Sequence, residues 1–243
     1  ASATFSSSSD GSSSRPVSRT TGNLDFAVRL DVFTLVPAAF DWLRERRPVA
    51  AVLDSELDLR VFNYRDSTPL GAGQVDDEPY GGGRGMVLRV DVVAAALDAV
   101  YGAKRQQRIV ALTPGGRALD QELVEELAGE PELTLLSARF EGFDQRILDH
   151  LVTDEISIGP YVLSGGEIPA LVVLDAVVRR LPGALTEGSG EIESFSRALD
   201  GGLEYPHYTR PAEFLGWEVP EILLSGDHGR IEAWRRERVR SAT

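Results

Sequence analysis

The sequence predicts an α/β fold, a mostly parallel sheet with helices on both faces. Three observations carry this. Between residues 108 and 181, β-branched apolar runs alternate with stretches in helical spacing, as a parallel sheet with covering helices requires. Three apolar segments end in Gly-rich turns, "TPGGR" (113–117), "RFEGFD" (139–144) and "LSGGE" (163–167). Finally, 42% of the 243 residues are hydrophobic, enough for a sizeable core, yet no apolar run has the length of a membrane span.

In chain order, the alternating apolar residues of 26–35 predict a strand, and Pro37 a helix start, because proline is tolerated at the first helical position. Residues 48–62 fit a short strand or a helix equally. "DEPYGGGRGM" (77–86) reads as a loop, and its four glycines are costly backbone, since glycine loses more freedom on folding than any other residue. A helix over 91–106 ends near Gly102, with basic residues beyond. Then follow a buried strand (108–116), a helix (118–129) with Leu119, Leu123 and Leu127 on one face, a strand (133–140), a helix near 143–151, short strand character in 155–167, and a helix (167–181) closed by Pro182-Gly183. That last helix has almost no polar stripe, so it is expected to be buried all round, either as a core helix or at a subunit interface.

Four units follow from composition. Residues 1–24 hold nine serines, three threonines, two arginines and one acid, too little apolar surface to pack, and read as a disordered tail. Serine-rich, arginine-bearing and acid-poor is also how organelle transit segments look, so the compartment stays open between cytoplasmic and plastid or mitochondrial. Residues 25–183 form the main domain, 184–203 a Gly-, Ser- and Glu-rich linker, and 204–243 a small helical C-terminal module, with helix expected at 212–215 and from about 226. Trp217 and Trp234 are expected in that module's core.

Charge and residue types narrow the chemistry. There is no cysteine, so disulfides, thiolate metal sites and cysteine nucleophiles are excluded. Three scattered histidines do not suggest a metal cluster. The net charge of −13 argues against a protein coated in positive charge. The end of the chain, "HGRIEAWRRERVRSAT", nonetheless carries five arginines against two glutamates. In a parallel sheet, ligands lie at the carboxyl ends of the strands, where the three Gly-rich loops fall. No phosphate-binding lysine motif accompanies them. Such a pocket suits a neutral or cationic ligand, such as an adenosine bearing a sulfonium, which Glu141 and Glu167 would favour.

Seven stretches in order then resemble the bacterial-type tRNA (guanine-N1)-methyltransferase family, of the SPOUT superfamily: "LDVFTLVPAAF", "DDEPYGGGRGMVLR", "LTPGGRALDQELVEELA", "ARFEGFDQR", "DEISIGPYVLSGGEIPALVVLDAVVRRLPG", "YPHYTRP" and "VPEILLSGDHGRIEAWRRER". The resemblance runs from about residue 26 to 238. It implies an α/β domain with a deep trefoil knot, a homodimer that shares its active sites, S-adenosylmethionine as methyl donor, assistance by Mg²⁺, and methylation at N1 of the tRNA guanosine just 3′ of the anticodon.

By motif, the resemblance assigns the cofactor to Leu112, Thr113, Pro114 and Gly115, to Arg139, Glu141 and Gly142, and to Ser157, Ile158, Gly159, Tyr161, Leu163, Gly165 and Gly166. Tyr80 with Gly81, Gly82 and Gly83 matches a loop that closes on the cofactor and guanine. His207, Tyr208, Arg210 and Arg235 match tRNA contacts, although an arginine run on a helix is by itself as well read as a solvated face, and His207 as a surface histidine. The family's arginine before the "PG" falls on Arg179, with Arg180 as fallback. Its catalytic base is an aspartate before "SF", and here that position is Glu193. A longer side chain displaces the carboxylate, and an error of about 1 Å can cost roughly 10²-fold in rate. Asp200 and Glu191 are the alternatives, and a weak or inactive homologue that still binds cofactor or RNA is the second functional reading. A knotted methyltransferase with another RNA target is the third.

Overall fold

The computed structural model describes residues 28–102, 105, 107–190 and 192–242. The Ser-rich start, Lys104 and the alternative base Glu191 lie outside the described residues.

Chain order begins with β1 (Val28–Thr34), a 3-10 turn (Pro37–Phe40), α1 (Asp41–Arg44), α2 (Val49–Val52) and β2 (Leu57–Asn63). Pro37 starts its turn as expected, and the ambiguous 48–62 stretch contains both a helix and a strand. Next come the two-residue strands β3 (Asp76–Asp77) and β4 (Val87–Leu88), antiparallel to each other at the base of the glycine loop, and α3 (Val90–Tyr101). Gly102 follows at φ +70, where a side chain would be strained. Then β5 (Arg108–Ala118), α4 (Gln121–Ala128), β6 (Glu132–Leu136), α5 (Gln145–His150), β7 (Asp154–Ser157) and α6 (Glu167–Val178) complete the main domain.

Five strands form one parallel sheet in the order β2-β1-β6-β5-β7. Side chains alternate between its faces. Leu30, Val32, Leu57, Leu133 and Leu135 pack with α4 and α6, while Phe33, Ile109 and Leu136 pack with α3 and α5. The sheet is thus covered on both faces, as the alternation predicted.

Strand β5 is irregular where it matters. Leu112 pairs with Ile156, and after a register shift Arg117 pairs with the same Ile156. Residues 113–116 therefore leave the sheet as a loop between two paired stretches. This extends the strand to Ala118 and delays α4 to Gln121, where Asp120 caps it by accepting from the Leu123 amide at 2.8 Å.

Two expectations fail beyond residue 183. Residues 212–215 are not helical: β8 (Glu213–Phe214) and β9 (Trp217–Glu218) form a hairpin around Leu215 and Gly216, both at positive φ. The aromatic pair Phe214 and Trp217 packs across it in a tilted arrangement at 5.9 Å, the cross-strand contact that favours a hairpin over a helical turn. Trp217 is consequently 72% exposed rather than core, whereas Trp234 is half-buried. Helices α7 (Glu221–Leu224) and α8 (His228–Arg236) follow, the latter capped by Asp227. Helix α6 is not buried all round within the chain: Ile168 and Val172 lie exposed on it, beside exposed Trp42, which removes the core alternative and leaves the interface one open.

Candidate functional site

A cavity of about 300 Å³ opens at the carboxyl ends of β5, β6 and β7. Three loops wall it. Leu112, Thr113 and Pro114 come from the detour in β5. Arg139, Glu141 and Gly142 follow β6. Ser157, Ile158, Gly159, Tyr161, Leu163, Gly165 and Gly166 run from β7 to the start of α6. Of the residues assigned to the cofactor from sequence, Gly115 alone does not line it. Apart from Ser164, the cavity's further lining is apolar: Ala138, Phe140, Phe143, Leu148, Ile156, Val162 and Pro169. These gave no sequence signal of their own, because any buried strand or helix end has the same composition.

Backbone contacts hold the loops together. A Cβ on Gly116 would overlap the backbone of Glu155 and Ile156, and one on Gly166 would lie 2.7 Å from the Ser137 Cα. The Gly166 amide donates to the Ala138 carbonyl at 2.7 Å, and the Ser137 hydroxyl donates to the Gly166 carbonyl at 3.0 Å. Gly116 was not singled out in the sequence; its neighbour Gly115 has open space around it. Ser157 closes the β7 turn, its hydroxyl donating to the Gly159 carbonyl at 3.1 Å. Thr113 donates to Glu155 at 3.0 Å, fixing the β5 detour to β7.

The glycine loop is tied to the same wall. The Leu88 amide donates to the Gly142 carbonyl, and the Glu141 amide to the Met86 carbonyl. Gly85, at φ +84, leaves the space that the Glu141 carboxylate fills. At the loop's base Arg89 pairs with Asp77 and Asp91, each at 2.8 Å. Tyr80 and Gly81, Gly82 and Gly83 project into solvent and do not line the cavity; Tyr80 is 99% exposed.

Arg179 and Glu193 are brought together elsewhere. The Arg179 guanidinium donates to the Glu193 carboxylate at 2.5 Å, and Arg180 does so at 3.3 Å. Arg180 also reaches Glu125 of α4 at 3.5 Å. Arg179, Arg180 and Glu193 line a second hollow with Trp42, Ile168 and Val172. Asp200 is exposed at the end of the turn Arg197–Leu199. The cavity lies at the N-terminal end of α6 and the Arg179–Glu193 pair at its C-terminal end. A 12-residue helix is about 18 Å long, so one chain does not bring the pair to the cavity.

In the C-terminal segment, His207 lies 3.3 Å from Glu204, the Arg235 guanidinium sits 5.0 Å over the Tyr205 ring, and Tyr208 packs edge-on to Trp234 at 6.3 Å. Arg210 is exposed.

Comparison with known proteins shows the family. The family model for tRNA (guanine-1)-methyltransferase TrmD matches residues 28–243. The chain belongs to the tRNA (guanine-1)-methyltransferase family. A tRNA (guanine-N(1)-)-methyltransferase of Brevibacillus brevis is 49% identical, covering 86% of this chain and 85% of that protein. One of Exiguobacterium sibiricum is 49% identical with the same coverage, and one of Geobacter sulfurreducens is 45% identical over 89% and 88%. These methyltransferases are bacterial, which gives no support to the organellar reading of the Ser-rich start. No helix among the described residues is long and apolar enough to cross a membrane.

Proposed function

We propose that this chain is a tRNA (guanine-N1)-methyltransferase that uses S-adenosylmethionine, and that the cavity at the carboxyl ends of β5, β6 and β7 holds that donor. The observation that carries the reading is the composition of the cavity. Apolar Leu112, Ile156 and Ile158 suit an adenine ring, the Glu141 carboxylate suits a cationic sulfonium, and Arg139 suits the donor's carboxylate. When bound, the donor supplies an electrophilic methyl group. The close backbone approaches at Gly116 and Gly166 support a knotted chain path, in which glycines let one segment pass against another.

The separation of the two half-sites supports a homodimer with shared active sites. Helix α6 carries Ile168 and Val172 exposed next to Trp42, an apolar face that a second subunit would cover. That arrangement lets one subunit's Arg179–Glu193 pair approach its partner's cavity. Glu193 is placed by this reading as the base that would take the proton from guanine N1, leaving that nitrogen's electron pair for the methyl group the donor would supply. Arg179 orients Glu193 and stabilises negative charge that develops on the purine. The exposed arginines of α8 and the aromatic groups around it are placed to hold tRNA phosphates and bases. Mg²⁺ is expected from the family. Among the described residues no group of three or more His, Asp or Glu side chains could hold a metal ion.

The test is incubation with S-adenosylmethionine and a tRNA that carries guanosine 3′ to its anticodon. N1-methylguanosine at that position is the expected product. Absence of product with intact cofactor binding favours the second reading, a homologue that binds without turnover. That reading is motivated by Glu193, longer than the family aspartate and already gripped by two arginines. Glu193→Asp would then switch activity on.

A further inference from the structure

A buried carboxylate beneath the cavity has no part in the chemistry above. Glu167, the first residue of α6, is 5% exposed, so its charge needs partners. Its Oε1 accepts from the Thr34 hydroxyl at 2.9 Å and from the Arg139 Nε at 3.3 Å. Thr34 is fully buried at the end of β1, and its own Oγ1 accepts from the Val36 amide at 3.0 Å. The second carboxylate oxygen occupies the space a side chain on Gly165 would need. Glycine at 165 is therefore matched to glutamate at 167. Beside them the Tyr64 phenol is fully buried; burial first, then the Glu167 charge, push its ionisation well above the usual range, so it presents a neutral hydroxyl. Arg139 is the remaining side chain, and unlike those of Glu167, Thr34 and Tyr64 it lines the cavity and is 38% exposed.

Resting on the cofactor reading above, we infer that Glu167 is a positioning residue: anchored by Thr34 and accommodated by Gly165, it fixes Arg139 in the cavity wall so that the guanidinium meets the donor's carboxylate. An arginine on a loop after a strand has several open rotamers. A buried anion at one nitrogen selects among them before ligand arrives, and preorganisation of this kind lowers the cost of binding.

The test is a double-mutant cycle on the full chain, read as the dissociation constant for S-adenosylmethionine by titration calorimetry. Glu167→Gln is expected to weaken binding about tenfold, and Arg139→Gln by a similar factor, whereas the double variant is no worse than Arg139→Gln alone. Thr34→Val, which keeps the charge and the volume, is expected to weaken binding less, and again only while Arg139 is present. A purely structural role would instead lower the thermal midpoint and weaken binding equally in both backgrounds. Independent, multiplicative losses for both Glu167→Gln and Thr34→Val overturn the inference. Failure of the parent to bind the donor overturns the cofactor reading and this inference together. If Glu167→Gln does not fold, the Thr34→Val cycle alone decides.

Discussion

The two ends of α6 solve different problems with different materials. At the N-terminal end, backbone does the shaping: glycines at 116, 165 and 166 admit neighbouring backbone or a carboxylate where no side chain fits, and Ser137 and Ala138 bond directly to Gly166. At the C-terminal end, three long charged side chains, Arg179, Arg180 and Glu193, are held by one another across a sequence gap of about a dozen residues. A cavity made from backbone is rigid and suits a ligand that is the same in every turnover. A cluster made from long side chains on a loop is adjustable and suits a step in which a proton moves and a large substrate must enter. On the proposed function, the half-site that carries chemistry would be separable from the half-site that carries shape.

The strongest way to break this comparison is to remove the chemistry while keeping the shape. Glu193→Gln is expected to lower kcat by about 10²–10⁴-fold, the usual contribution of a general base, with S-adenosylmethionine affinity unchanged by calorimetry. A parallel loss of cofactor affinity would mean that the two ends are one site. Mixing also tests their separation: Glu193→Gln and Gly166→Ala chains, each inactive alone, are expected to recover methylation when co-refolded, because a mixed dimer combines one intact cavity with one intact pair. No recovery, with mixed dimers verified by mass spectrometry, would put both half-sites in the same subunit.

The next effect sharpens the claim about backbone. Gly116→Ala places a methyl group against the Glu155–Ile156 backbone and is expected to destabilise by about 1–3 kcal/mol, as overpacking does. Gly115→Ala next to it meets open space and is expected to stay within about 0.5 kcal/mol. Thermal unfolding of the two variants gives the comparison directly. Equal shifts would remove the argument for a close chain crossing at 116.

Those adjacent glycines also mark how far the sequence could be read. Strand and helix alternation was legible because burial on both sheet faces writes near-continuous apolar runs into the strands and period-3.6 patterns into the helices, and β1, α3, β6 and α6 appear close to where those patterns fall. The three cavity loops were legible from Gly-rich turns after apolar runs. Which of two glycines touches backbone was not, since that depends on the register shift between Leu112 and Arg117, a property of pairing with β7 rather than of local sequence. The hairpin of β8 and β9 was missed for a similar reason. "EFLGWE" has helix formers at its start, but the aromatic pair across the turn outweighs them. Glu193 and Arg179 were placed from motif spacing, and the fold pairs the two side chains with each other. Their separation from the cavity could not be read, because it is a three-dimensional distance along a helix.

A smaller effect is expected at the opposite, amino end of the sheet, far from the cavity. Arg108 donates to both Asp154 oxygens, at 2.9 and 2.7 Å, joining β5 to β7, and pairs with Glu126. The hydrogen bonds from Arg108 hold the Asp154 carboxyl below its ordinary range, outweighing burial. A carboxyl lowered in the folded state adds stability above its unfolded value, near 3.9, and loses it as pH falls through the folded value. Arg108→Gln is thus expected to cost about 1 kcal/mol at neutral pH, with the gap to the parent narrowing below about pH 4. Chemical denaturation at pH 7 and at pH 3 measures it. A gap that widens in acid would contradict the assignment. Cofactor affinity is expected to be unchanged, because this edge shares no side chain with the cavity.

The smallest expected effect lies in the C-terminal segment, where neither rigid backbone nor a buried pair is involved. Arg235 sits over the Tyr205 ring, while Arg236 is paired with Glu232 one helical turn away. An arginine already paired on its own helix has less to offer a phosphate than one stacked on an aromatic face with its donors free. Arg235→Gln is therefore expected to reduce the slope of log affinity against log salt for tRNA by about 1, the contribution of one phosphate contact, and Arg236→Gln by less. Filter binding across a salt series distinguishes the two. A larger change for Arg236 would mean that the Glu232 pair opens on RNA, and that adjustable side chains govern this surface as they do at the C-terminal end of α6.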